Sequence, residues 1–173
     1  MVKVLERFPG ARRALFSNYH IGGCQSCAYD DAETLASVCK RNELILSEVI
    51  QTITQSHKED LQFLIEPEEL QQLLEQTTDS FILVDTRTRE EHEALQLPGS
   101  ILLTQELQTR YFSSPPSQNI IFYDHTGRNT LDTCSWFAGH GIKNCRALRG
   151  GIDAYAKEVD SSIPRYRLEV DDA

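Results

Sequence analysis

The sequence predicts an α/β fold: a mostly parallel five-stranded sheet flanked by helices, preceded by a small all-α module. Three observations support this. From about residue 61, short apolar runs such as "FILVD" and "NIIFY" alternate with segments of helical spacing. Those runs are continuously apolar, as expected for parallel strands buried on both faces. The first sixty residues instead show only helix-period patterns.

Taken in order, Pro9 suits a first helical turn, and Ala11, Ala14, Leu15 and Tyr19 follow at helical spacing. "HIGG" stops that helix, because Gly22 and Gly23 accept backbone conformations other residues resist. Asp30 and Glu33 read as a capping box for a second helix over roughly 31–40, with Leu35, Val38 and Cys39 apolar. Ser47 reads as the N-cap of a third helix carrying Val49, Ile50 and Ile53. "QSHKED" reads as the linker, which puts a CxxC-containing helical module at 1–58, an α/β domain at 61–165 and an acidic tail at 166–173.

In the second part, "LQFLI" predicts a strand, and "EPEELQQLLEQ" a helix with Leu70, Leu73 and Leu74 on one face. "FILVD" is a buried strand ending in Asp85, "TREEHEAL" a short helix, "GSILL" a third strand and "SSPPSQ" a loop. "NIIFY" is a fourth strand, followed by the loop "DHTGRN". "TLDTCSWFAGHG" is a helix closed by Gly141, "NCRALRGG" a fifth strand and "IDAYAKEV" a last helix. Ligands of such sheets sit at the C-terminal ends of the strands, where the 124–129 loop falls. A loop between a buried strand and a helix can present backbone N–H groups to an anion.

Composition narrows the function. The net charge is −9. Residues 1–60 carry seven basic and eight acidic side chains, and residues 61–173 ten and eighteen. Without a clustered basic run the expectation is no nucleic acid. No stretch approaches the ~20 apolar residues of a membrane span. The N-terminus lacks the apolar core of a secretory signal, so a cytoplasmic protein with no membrane partner is expected. Five cysteines with one close pair do not form a secreted disulfide framework.

That pair is Cys24 and Cys27 in "GGCQSCAYDDAETL". Two cysteines at this spacing can close a disulfide, yield a low-pKa thiolate, or supply half a tetrahedral metal or iron–sulfur site. Cys39 and His20 are candidate additional ligands, and a dimer could bring four thiolates together. They can also be a merely structural buried pair. Cys134 and Cys145 lie within a predicted helix and strand and read as small buried hydrophobes. His140 reads as a helix C-terminal cap. His92 and His125 are isolated and carry no ligand assignment.

Three segments together resemble the rhodanese domain. "LVDTRTREEHEALQLPGSI" is similar to that family's Asp-x-Arg stretch and its following Gly-His-Ile-Pro-Gly-Ala; Asp85, Arg87, Glu90, Pro98 and Gly99 match, His92 takes an aromatic position, and Gln96 stands for the usual His. "IIFYDHTGRN" resembles the active-site strand and loop, and "WFAGHGIKNCRALRGGIDAY" the closing helix, strand and glycine turn. The resemblance covers roughly residues 61–160. It implies a sulfane-sulfur chemistry in which the first loop residue is a cysteine that becomes a persulfide, its thiolate favoured by inward-pointing amides and a helix N-terminus. Here that position is Asp124, followed by His125, Thr126, Gly127, Arg128 and Asn129. A carboxylate cannot carry sulfane sulfur. Asp124 can instead accept hydrogen bonds from the loop's own amides; the alternative is that Asp124 and His125 hold a cation or act as a base pair.

The first fifty-five residues resemble the hybrid-cluster-protein-associated disulfide domain, through Pro9, Cys24, Cys27, Glu33, Thr34 and Leu35. Together the resemblances imply a binding or docking rhodanese-like domain, inactive as a classical sulfurtransferase. It is joined to a module whose Cys24 and Cys27 serve thiol-redox, sulfur or iron–sulfur work with a thiol- or sulfur-trafficking protein partner. The other hypotheses are a working sulfurtransferase or persulfide carrier using Cys24 or Cys27, and a purely structural interaction protein.

Overall fold

The computed structural model describes residues 1–22, 29–30, 32–76 and 80–166. Cys24 and Cys27, and the tail from residue 167, lie outside the described residues. The chain divides into two compact units, Met1–Gln62 and Phe63–Ala173.

The first unit contains α1 (Val2–Arg7), α2 (Ala11–Tyr19), α3 (Leu35–Arg41) and α4 (Leu46–Leu61). Leu15, Ile21, Val38, Cys39, Val49 and Ile53 form its core. Helix α2 ends at His20, which adopts the left-handed conformation at φ 56°, and Gly22 follows at φ 90°. Several start signals shift. Pro9 precedes the helix, whose N-cap is Gly10. The cap of α3 is Thr34, whose side chain accepts from the Ser37 N–H while the Ser37 hydroxyl accepts from the Thr34 N–H. Asp30 and Glu33 do pair, the Asp30 N–H donating to Glu33 Oε2 at 2.9 Å, but in the turn before the helix. Ile45, not Ser47, is the N-cap of α4. "QSHKED" is helical rather than a linker, because it contains neither Gly nor Pro to stop α4.

The second unit is a sheet with helices on both faces. Its elements are β1 (Leu64–Ile65), α5 (Pro67–Glu75), β2 (Phe81–Asp85), α6 (Arg89–Ala94), β3 (Ile101–Leu102), α7 (Gln105–Ser113), β4 (Asn119–Tyr123), α8 (Thr130–Gly139), β5 (Cys145–Leu148) and α9 (Gly151–Glu158). The five strands lie in the order β1-β5-β4-β2-β3 and all their pairings are parallel. Strand β1 is shorter than "LQFLI" suggests: Leu61 stays in α4, and β1 is an edge strand paired only with β5 among the described residues. The α/β fold class is as the sequence predicts.

The period-two alternation of β4 explains the two-sided core. Ile120 and Phe122 join Leu131, Cys134, Phe137 and Cys145 on one face. Ile121 and Tyr123 join Leu83, Leu97, Leu148 and Ile152 on the other. Burying such side chains stabilises the unit by about 1.5–3 kcal/mol each. Because β2 and β4 are neighbours with Asp85 opposite Tyr123, their C-terminal ends, and the loops that follow, come together.

Candidate functional site

The 124–129 loop leaves β4 and enters α8, and two kinds of contact fix its shape. The Asp124 carboxylate accepts the N–H of Gly127 through Oδ1 and that of Asn129 through Oδ2, the latter at 2.9 Å. A loop that gathers amides around a point would bind an anion there; here the anion is the loop's own side chain. Asp124 is 7% exposed. The backbone carbonyls of Asp124 and His125 accept the N–H groups of Ile152 and Asp153, in the first turn of α9, at 2.9 and 3.0 Å. That approach requires glycine. Gly151 sits at φ 60°, and a Cβ there would stand 2.6 Å from the His125 carbonyl oxygen. Gly127 sits at φ 75°, where a Cβ would meet the Gly150 nitrogen at 2.6 Å.

Thr126, Arg128 and Asn129 are exposed on the loop, and His125 is half-buried. The His125 ring stacks on Tyr166 at 4.2 Å and 8°. Its Nε2 lies 3.0 Å from the Tyr166 carbonyl oxygen, which can only accept, so Nε2 carries a proton.

A buried polar network lies beneath, at the end of β2. Asp85 is fully buried and takes five donor groups from Arg87, Tyr123 and His92. The Arg87 guanidinium donates to it from Nε at 2.9 Å and Nη2 at 2.6 Å, the Arg87 N–H at 3.0 Å, and the Tyr123 hydroxyl at 2.9 Å. His92 Nδ1 is the fifth, 2.9 Å from Oδ2. Burial pushes the Asp85 carboxyl up, but the hydrogen bonds from Arg87 and His92 and the Arg87 charge outweigh it, and the group is held below the usual carboxylate range. Burial first, then the Asp85 charge, pushes the Tyr123 phenol up to about 12, against the Ser100 hydroxyl 2.8 Å away. Arg87 also donates to the Leu95 carbonyl at 2.5 Å and the Tyr166 hydroxyl at 2.7 Å. Thr88 caps α6 in a capping box with Glu91. Glu91, rather than Glu90, accepts from the Tyr166 hydroxyl at 2.8 Å.

The structure thus sets the Asp124–Asn129 loop and the Asp85–Arg87 pair at the neighbouring C-terminal ends of β4 and β2. The sequence reading misses the roles of His92, Tyr123, Ser100 and Tyr166. Its available signal was Asp85: a carboxylate ending an apolar strand must find donors, and a histidine seven residues on is one.

The remaining cysteines sit apart. Cys39 is buried in the first unit's core, and burial raises its thiol pKa, while His20 is exposed. Cys134 and Cys145 are buried in the second unit, as expected. Hydrogen bonding with Cys134 draws the Cys145 thiol down against the opposing effect of burial. At 3% exposure, access rather than acidity limits its reactivity. His140 caps α8, its Nδ1 2.7 Å from the Trp136 carbonyl.

This architecture, a five-stranded parallel sheet with a β4–α8 loop closed against a double-glycine turn, is that of a rhodanese-like domain. The chain belongs to that family: the Rhodanese-like domain profile matches residues 66–158. A sulfurtransferase of Allochromatium vinosum is 31% identical over 94 residues, covering 54% of this chain and 87% of that protein. The adenylyltransferase and sulfurtransferase UBA4 of Candida albicans is 25% identical over 149 residues, 75% of this chain but 34% of that protein. The chain therefore spans about a third of that fungal relative. Among solved structures, the BH2092 protein of Bacillus halodurans shares the fold at a TM-score of 0.55 and 17% identity, over 67% of this chain and 92% of that one. No helix among the described residues is long and apolar enough to cross a membrane.

Proposed function

We propose that the rhodanese-like domain carries no sulfur at its loop and serves as a docking domain, with thiol chemistry belonging to Cys24 and Cys27. The observation that carries this is Asp124. It stands where the family's nucleophile is expected, and its carboxylate accepts the Gly127 and Asn129 amides. A carboxylate has no lone-pair sulfur to accept a sulfane atom, and it places negative charge where an anionic donor would have to bind. Cys134 and Cys145 are too buried to substitute. The sulfurtransferase names of the relatives support a role within sulfur trafficking, with a thiol- or sulfur-carrying protein as partner. A cytoplasmic setting fits a chain whose Cys39 and Cys145 are free cysteines. The Cys24–Cys27 pair then acts as a dithiol/disulfide, a persulfide acceptor or a metal or iron–sulfur ligand pair.

The test is the native intact mass of anaerobically purified protein before and after a sulfane-sulfur donor. Gain of sulfur that disappears in Cys24→Ser makes the pair a sulfur carrier. Loss of two hydrogens makes it a disulfide, and added metal makes it a ligand site. An unmodified mass leaves a binding protein without thiol chemistry. Gain of sulfur that survives Cys24→Ser with Cys27→Ser contradicts the proposal.

A further inference from the structure

The segment that follows α9 returns across the end of the sheet. Asp160 turns it: its carboxylate accepts the Ser162 N–H at 3.0 Å, and its carbonyl accepts the Ile163 N–H at 3.1 Å. Ile163 and Tyr166 then pack against the core face that holds Tyr123, Ile152 and Tyr155. Between them, Arg165 grips Asp153 of α9 with two hydrogen bonds of 2.7 and 2.9 Å.

Tyr166 is where this segment meets the site. Its ring lies flat on His125. Its carbonyl accepts from His125 Nε2. Its hydroxyl uses both of its capacities, accepting from Arg87 Nη1 and donating to Glu91 Oε1. One side chain therefore joins the 124–129 loop, the β2–α6 connection and α6. Each of these is a place where a docking partner would touch the C-terminal edge of the sheet.

We propose that residues 160–166 form a strap that covers the loop face in cis, latched by Tyr166 on His125, Arg87 and Glu91, and that a protein partner gains the loop face when the latch releases. The strap is held by one aromatic stack, the His125 bond to the Tyr166 carbonyl, two charge-assisted phenol bonds, an exposed ion pair and the packing of Ile163 and Tyr166. All of these belong to one short segment outside the strand pairings, so they can release together as a local opening that leaves the sheet folded. The consequence for docking rests on the function proposed above; the closure itself does not, and the two are tested separately.

The experiment measures diethyl pyrocarbonate modification of each histidine by peptide mass mapping, with exposed His140 as reference and amide exchange of β4 as the control for folding. In the intact chain His125 should react about tenfold more slowly than His140. Tyr166→Ala should raise the His125 rate about tenfold with β4 protection unchanged. Tyr166→Phe keeps the stack, loses the hydroxyl bonds and should fall between. The proposal is overturned if His125 already reacts as fast as His140, or if Tyr166→Ala leaves its rate unchanged. Should Tyr166→Ala weaken β4 protection, Arg165→Gln decides: it removes only the exposed pair with Asp153, and an unchanged His125 rate there also overturns the strap. A strap that opens as expected in a chain that gains sulfur at its loop domain would sink the docking function and leave the closure standing.

Discussion

Asp124 and Asp85 are two buried carboxylates solved in different ways. Asp124 satisfies itself locally, with amides three and five residues on. Asp124→Ala should cost about 1 kcal/mol, as for a lost N-cap, read as a lower urea midpoint, with faster exchange at the Gly127 and Asn129 amides. Asp85 is satisfied across elements by Arg87, His92 and Tyr123. Removing its charge leaves Arg87 buried and unpaired, so Asp85→Asn should cost about 3–5 kcal/mol in the same measurement. The pH dependence follows from the sign of the shift. Asp85 titrates lower in the folded chain than in the unfolded one, so its contribution is present above the ordinary carboxylate value of about 3.9 and is lost as pH falls through the folded value. Acid unfolding curves should therefore be flatter in Asp85→Asn than in the parent. Asp124 was readable from the sequence because its position follows from one strand and one loop. The His92 contact was not, because it depends on where α6 returns over β2.

At the level of elements, the most legible were those whose pattern leaves one choice. Strands β2 and β4 match "FILVD" and "NIIFY" residue for residue, since four continuous apolar or aromatic positions in each suit a short strand buried on both faces. Helix ends were less legible. Ser47 has the chemistry of an N-cap, yet α4 starts at Leu46, one turn ahead of the buried Val49. The polar "QSHKED" looks like a linker, but only glycine, proline or a competing cap would stop a helix already propagating. Helix α7 was not foreseen, although Thr104 caps it and Leu107 and Tyr111 supply an i, i+4 pair. Two buried side chains in a short polar segment give too weak a period to separate it from a loop. The double glycine after β5 was legible as a turn, and the structure shows what it serves. Gly151→Ala should force the α9 N-terminus away from the Asp124 and His125 carbonyls. The expected result is a loss of about 1–3 kcal/mol, with exchange protection falling at Ile152 and Asp153 while β4 keeps its own.

The whole molecule consists of two compact units. The rhodanese-like unit has a rigid two-sided core, a loop whose amides are occupied from within, and buried thiols. The helical unit contains the close cysteine pair, which lies outside the described residues. Under the proposed function, sulfur that moves through this protein moves through that pair. The most direct measurement is the intact mass and cysteine map of the full chain carrying both Cys24→Ser and Cys27→Ser, after exposure to a sulfane-sulfur donor, beside the same chain with Asp124→Cys added. The account predicts no sulfur on the double variant and one added sulfur, at position 124, once the thiol is supplied. Sulfur on Cys134 or Cys145 of the double variant would contradict it.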